Sequence, residues 1–141
     1  MKKVIFLPVF LIFIVSQSYA QSSEDFIGSW EMTVNIVMGI ESKFPAVLVV
    51  KENGTYAKAN EETGLNGKEI NKYVGIWEIT EDGLLKLIPQ DEEITRVTKS
   101  EYWNLFKSKD EIGFYYAELP NGEIFTAKEM IRVTVYERID R

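Results

Sequence analysis

The sequence predicts an all-β domain, an antiparallel up-and-down β-barrel of about eight strands. Three observations lead to this fold class. Short runs rich in β-branched and aromatic residues follow one another, Asn-Gly and Asp-Gly turns join neighbouring runs, and no amphipathic helical pattern follows the N-terminal apolar segment. Closing such a sheet removes the exposed edges that promote aggregation. A two-sheet β-sandwich is the alternative, because turn spacing alone does not separate the two architectures.

The N-terminal segment, residues 1–20, reads MKKVIFLPVFLIFIVSQSYA and has the layout of a secretory signal peptide. Two lysines precede an apolar run from Val4 to Val15, and the small residues Ser18 and Ala20 occupy the positions that signal peptidase reads. A run of about 12 residues is shorter than the roughly 20 that a membrane-spanning helix needs. We predict cleavage after Ala20 and export to the periplasm or the exterior of a bacterial cell, leaving one domain, residues 21–141, without a transmembrane segment.

The first strand of this domain is predicted from the stretch FIGSWEMTVN, residues 26–35. Polar and apolar residues alternate here with a period of two, which is typical of a half-buried strand. We expect one apolar face toward the core. Its members are Trp30, Met32, Val34, Ile36 and Met38.

Two hairpins follow in the middle of the chain. Residues 44–50 and 55–59 are β-type runs joined by an Asn53-Gly54 turn, and a second pair is joined by Asp82-Gly83. Between the hairpins, the polar residues 60–71 are predicted to form the longest loop.

The C-terminal part contains four more strand-like runs, which lie at residues 101–107, 112–119, 122–127 and 130–139. In the last run Ile131, Val133 and Val135 alternate with Arg132, Thr134 and Tyr136. Residues 90–99 fit a loop, a short helix or a ragged strand, and the sequence leaves these three open.

Composition excludes several classes of function. The chain has no cysteine and no histidine, which removes the usual nucleophiles and general bases and nearly all zinc, copper or haem ligation. Residues 21–141 carry a net charge of about −8, which disfavours nucleic-acid binding. We therefore predict no metal, no cofactor and no enzymatic activity. A buried carboxylate would revive an enzyme hypothesis, and Glu78 beside Trp77 is the position to check.

The two ends of the domain carry a resemblance to a known family. Gly28-Ser29-Trp30 opens the first strand after a signal peptide, a ladder of hairpins follows, and the last strand contains Tyr136-Glu137-Arg138. This order resembles the lipocalin and calycin superfamily, and more closely the small lipocalin-like domains that bacteria export. The resemblance implies that Trp30 plugs the closed end of a barrel and that Arg138 lies across it.

The candidate ligand site consists of aromatic residues in the predicted strands. We expect some of them to converge on a cup at the open end of the barrel and to bind a small hydrophobic molecule. The alternative for each is a space-filling role in the core. The candidates are Tyr73, Trp77, Trp103, Phe114 and Tyr116.

A second hypothesis is an interaction protein whose barrel is filled. It would act through its outer surface and through residues 60–71 and 90–99, as a subunit of a periplasmic or outer-membrane assembly. An envelope protein would then be its partner.

Overall fold

The computed structural model describes residues 23–139, so the predicted signal peptide lies outside the described residues. The chain begins with a single 3₁₀ turn, Ser23–Asp25, and contains one short helix, α1, at Glu92–Thr95, within the described range. The strands are β1 Gly28–Val37, β2 Ile40–Glu41, β3 Ala46–Val50, β4 Thr55–Gly64, β5 Gly67–Ile79, β6 Leu85–Pro89, β7 Ser100–Leu105, β8 Glu111–Glu118, β9 Ile124–Thr126 and β10 Val133–Arg138.

The sheet closes on itself as an antiparallel barrel. Neighbouring strands pair in the order β1, β3, β4, β5, β6, β7, β8 and β10, and β10 also pairs with β1. The short strands β2 and β9 extend β1 and β8 outside this ring. The predicted eight-stranded up-and-down barrel is therefore confirmed, and the sandwich alternative is wrong. No helix in residues 23–139 has the length and apolar character needed to cross a membrane.

The predicted loop at residues 60–71 is instead the far end of a long hairpin. β4 and β5 stay paired from Thr55 opposite Ile76 to Gly64 opposite Gly67. Gly67 has a φ of 105°, a conformation that glycine adopts without steric cost and that allows the tight reversal. Residues 60–71 are polar because the two strands extend beyond the core into solvent here. Leu65 at the tip is fully exposed.

A β-bulge corrects the prediction for β1. The register shifts between Met32 and Val34, so the extra residue reverses which side chains face inward. Trp30 is fully buried and Met32 packs on the core, as predicted, whereas Val34 and Met38 are exposed. Beyond the bulge, Asn35 takes the inward position and its Oδ1 accepts a hydrogen bond from Thr134 Oγ1 at 2.9 Å.

Polar and apolar residues alternate along β10, and it is the polar residues that face the barrel interior. Thr134 and Tyr136 are 3% and 1% exposed, while Val133 is 51% exposed. Arg138 lies on the same face of β10 as Thr134 and Tyr136 and points into the end of the barrel. Its guanidinium carbon lies 4.1 Å from the ring centroid of Trp30. The barrel interior is therefore partly polar.

Candidate ligand-binding cup

The two ends of the barrel differ in construction. At the end where β1 begins, which we call the closed end, the Trp30 indole donates a hydrogen bond to Phe26 O at 3.0 Å. Arg138 Nη1 donates to Ile27 O at 2.9 Å and holds the N-terminal segment against the barrel. At the opposite end, the open end, the segment containing α1 lies across the mouth. Asp91 caps this helix by accepting a hydrogen bond from Glu93 N at 2.9 Å.

A cavity of about 250 Å³ occupies the open end, and we call it the cup. Strand alternation builds its walls, because Tyr56, Lys58 and Asn60 are successive residues on one face of β4. The α1 segment supplies its rim. The lining residues are Tyr56, Lys58, Asn60, Tyr73, Leu87, Pro89, Ile94, Thr98 and Glu101.

Gly75 makes room for the Tyr56 ring across the β4–β5 pair. The two residues are opposite each other in the register, and both are buried. A Cβ atom at position 75 would lie 2.5 Å from Tyr56 Cε1, closer than such atoms approach. The absence of a side chain at Gly75 therefore sets the position of one wall of the cup.

Lys58 directs a cationic side chain into the barrel. It pairs with Leu48 of β3 and Tyr73 of β5, and its Nζ lies 5.9 Å from the ring centroid of Tyr136. Among the described side chains no carboxylate forms an ion pair with Lys58. Lys58 is partly buried and shares the cavity wall with Glu101.

Glu101, the one carboxylate lining the cup among the described residues, has a partner. Arg132 Nη1 lies 3.2 Å from Glu101 Oε2, and both side chains are largely buried. Arg132 Nε also donates to Thr134 Oγ1 at 3.0 Å, and its guanidinium lies 3.9 Å from the ring centroid of Phe114. These contacts fix Arg132 in place, so it neutralises Glu101 rather than facing the cup as a free cation.

Five buried side-chain polar atoms have no hydrogen-bond partner within the described residues. They are Asn60 Oδ1, in the cup wall, and Ser100 Oγ, Trp103 Nε1, Tyr136 Oη and Arg138 Nε. Buried polar atoms in native proteins are nearly always paired, with protein, water or ligand. Asn60 Oδ1 is therefore an unpaired hydrogen-bond acceptor in the wall of the cup.

Burial raises the pKa of two interior tyrosines. Loss of solvation is the larger cause for both Tyr56 and Tyr136, and the negative charge of Glu101 raises the pKa of each further. Lys58 acts in the opposite direction on Tyr136. Both hydroxyls therefore stay protonated at neutral pH and keep a proton to donate.

The predicted ligand-binding residues do not share one cavity. Tyr73 lines the cup. Trp103 and Phe114 are buried beside each other, with ring centroids 5.6 Å apart in an edge-to-face arrangement. Trp77 lies toward the closed end, where its indole donates to Lys51 O at 2.7 Å. Tyr116 lies on the outer face of the barrel and stacks on Tyr102.

The sequence analysis missed most of the cup, including Lys58, Asn60, Leu87 and Glu101. The sequence contained a hint of these residues. In the run TYAKAN, Lys58 and Asn60 follow Tyr56 at intervals of two and therefore lie on the same face of the strand. The intervening alanines look like the apolar face, yet they lie on the outside. The alternative enzyme position, Glu78, is exposed and lies 3.5 Å from Lys86 Nζ on the outer surface.

Comparison with protein-family models finds no match to this chain, and comparison with curated proteins finds none either. The closed antiparallel barrel is compatible with a lipocalin-like fold. Within residues 23–139, no group of three or more acidic side chains is arranged to hold a metal ion.

Proposed function

We propose that this chain is an exported, lipocalin-like binding protein that holds a small ligand in the cup. The observation that carries the proposal is the cup itself, a cavity with apolar and aromatic walls and a few polar groups inside a closed barrel. Binding sites for small molecules have this composition. Leu87, Pro89 and Ile94 supply the apolar contacts, and the rings of Tyr56 and Tyr73 add flat walls with polar tips.

The size of the cup restricts the ligand. Its volume of about 250 Å³ is below the range of about 300 to 1,000 Å³ that is usual for drug-sized ligands. The ligand is therefore a compact molecule with one short apolar part. Export of the protein to the bacterial periplasm or exterior rests on the signal-peptide pattern of residues 1–20.

A second candidate function, an interaction with an envelope protein, is favoured by the outer surface of β5. Ile70, Val74 and Ile76 are 68%, 56% and 40% exposed and lie on one face of the strand. Beside them, Pro45, Val47 and Ile70 contribute to a shallow groove of about 160 Å³. Exposed apolar patches on soluble proteins often mark contact surfaces.

Native mass spectrometry of the protein, expressed from its full-length sequence and purified gently from the envelope fraction of its host, tests the proposal. We expect a ligand-sized mass excess that disappears after organic extraction. A bare protein mass, accompanied by a larger protein complex, would overturn the carrier function and support the second candidate.

Two variants separate these functions. Thr98→Trp places a bulky ring at the rim of the cup and is expected to abolish the mass excess. Val74→Ser combined with Ile76→Ser removes apolar surface from the outer patch and leaves the cup intact. Loss of the mass excess in the outer variant alone would place the ligand outside the barrel.

A further inference from the structure

The outer face of strands β3, β4 and β5 carries a continuous apolar surface. Every second residue of β3 is buried, so Val47 and Val49 lie on its outer face. Ala57 and Ala59 lie beside them on the outer face of β4, and Val74 of β5, opposite Ala57, is 56% exposed. We call this surface of five side chains the β3–β5 face.

The side chains of the β3–β5 face alternate in size from one strand to the next. Val49 is opposite Ala57, and Val47 is opposite Ala59. A ridge of valines therefore lies beside a groove whose floor is alanine. A shallow cavity of about 160 Å³ occupies this groove at Ala59, between Val47 and Ile70. A surface with a ridge and a groove side by side can fit a second copy of itself.

The same face has opposite charges at its two sides. Glu31 of β1 is opposite Val47, and Lys72 of β5 is opposite Ala59, so a single row crosses four strands. Both charged side chains are exposed, and neither forms an ion pair among the described side chains. With strands about 4.8 Å apart, Glu31 and Lys72 are separated by about 14 Å, too far to pair within one chain.

We infer that the β3–β5 face binds a second copy of this chain, in a symmetric dimer whose two-fold axis runs along the strands between β3 and β4. A two-fold interface uses the same patch on both copies, so that patch must be complementary to itself. Rotation about this axis places Val47 over Ala59 of the second copy, and Ala59 over Val47. It also places Glu31 over Lys72 of the second copy, which gives two charge pairs in each dimer.

The curvature of the barrel suits this arrangement. The outer side of a barrel is convex, so two packed copies lie closest at the axis and separate away from it. The short side chains of Val47 and Ala59 are next to the axis, where the surfaces meet. The long side chains of Glu31 and Lys72 are at the two sides, where they can span the wider gap.

The charge pattern favours a second copy as the occupant of this face. The chain carries a net charge of −6, so two copies repel each other at long range. At the contact itself, however, each copy contributes one acid and one base, and these meet as opposite charges. The inference does not rest on the proposed carrier function, because the cup is lined by the inward residues of β4 and the dimer uses the outward ones.

Sedimentation velocity over a range of concentrations, with the protein expressed from its full-length sequence, tests this inference. We expect a reversible equilibrium between monomer and dimer. Lys72→Glu replaces both charge pairs of the dimer with like charges and should weaken dimerisation about 10-fold. Glu31→Lys should weaken it by a similar factor. The double variant, Glu31→Lys with Lys72→Glu, exchanges the two charges and should restore dimerisation.

The matched control is Lys107→Glu. Lys107 is exposed in the turn between β7 and β8, away from the β3–β5 face, and its substitution changes the net charge by the same amount as Lys72→Glu. This variant should dimerise like the unchanged protein. Circular dichroism should show that all variants are folded, since every substituted side chain is exposed.

Recovery of the dimer in the double variant supports the inference, because only a direct contact between positions 31 and 72 explains it. A protein that stays monomeric into the millimolar range would overturn the inference. A dimer that none of the charge variants weakens would place the interface elsewhere and would also overturn it. A monomer that instead co-purifies with a different protein, and loses it in Lys72→Glu, would assign this face to an envelope partner.

Discussion

The two ends of the barrel each contain a long cationic side chain over an aromatic ring, and the two cations have different roles. At the closed end, Arg138 lies 4.1 Å from the Trp30 centroid and donates to backbone oxygens. At the open end, Lys58 lies 5.9 Å from the Tyr136 centroid and faces a cavity of about 250 Å³. At the closed end the cation is held by backbone oxygens of the chain, whereas Lys58 at the open end lines a cavity together with Glu101.

This difference shows that the surroundings decide what an inward cation does. A guanidinium whose donors meet carbonyl oxygens fixes the N-terminal segment to the barrel and stabilises the fold. We expect a partly exposed ammonium that lines a cavity, such as that of Lys58, to contribute less to stability. Functional sites commonly keep groups that contribute little to stability or reduce it.

The largest expected effect is at the closed end, in Trp30→Ala. Trp30 is fully buried at the centre of the closed end, so its removal leaves a large cavity and should lower the free energy of unfolding by about 3 to 5 kcal/mol. Tyr73→Ala, at the half-exposed wall of the cup, should cost clearly less. Urea denaturation measures both. Equal losses would mean that the two ends contribute equally to stability.

The next effect compares the two cations directly. Arg138→Met removes charge-assisted hydrogen bonds to Ile27 O and Lys109 O, and we expect it to lower the free energy of unfolding by about 2 kcal/mol. Lys58→Met should change it little or increase it, because a cation without a paired carboxylate is replaced by an apolar group of similar length. A large destabilisation by Lys58→Met would show that Lys58 is structural.

Much of the closed end could be predicted from sequence, and most of the cup could not. The tight turns Asn53-Gly54 and Asp82-Gly83 fix two pairs of neighbouring strands, β3–β4 and β5–β6, whereas the β1–β10 pair that closes the barrel joins distant residues. The bulge in β1 adds one residue and inverts the inward pattern after Met32, which no periodicity reveals. The Glu101–Arg132 pair joins residues that only the folded barrel brings together.

The interior of the open end also inverts the usual rule for strands. Thr134 and Tyr136 of β10 face inward and Val133 faces outward, because the barrel interior is partly polar and the outer surface is partly apolar. For the same reason Ala57 and Ala59, which flank Lys58, look like the inward face of β4 although they lie on its outer face. Residues 60–71 look like a loop because a hairpin that extends into solvent has the composition of one.

Alkaline pH should weaken the fold through the interior tyrosines. Tyr56 and Tyr136 have raised pKa values in the native state, so the unfolded chain loses these protons first. Stability is therefore fully present below about pH 10 and decreases above it, by about 1.4 kcal/mol per pH unit for each tyrosine. Urea denaturation between about pH 9 and 11 measures the slope.

Tyr56→Phe should reduce this slope by the contribution of one proton. Tyr115→Phe is the control, because Tyr115 is 52% exposed on the outer face. An unchanged slope in Tyr56→Phe would show that the Tyr56 hydroxyl is not the group whose burial matters.

The smallest effect concerns the rim of the cup. Asp91→Ala removes the cap of α1 and should lower local stability by about 1 kcal/mol. Hydrogen exchange should become faster in the α1 amides, while the amides of β1 and β10 at the closed end keep their protection. Faster exchange throughout the barrel would contradict the view that the rim opens independently of the closed end.

The most direct test of the central claim is the change in amide chemical shifts, followed by NMR, when the protein is titrated with octanol as a small apolar probe. We predict that the shifts change at Lys58, Asn60, Tyr73 and Ile94, while the amides of Trp30 and Arg138 keep theirs. Changes confined to the outer surface around Val74, with none at Lys58, would contradict the assignment of the open end as the binding site.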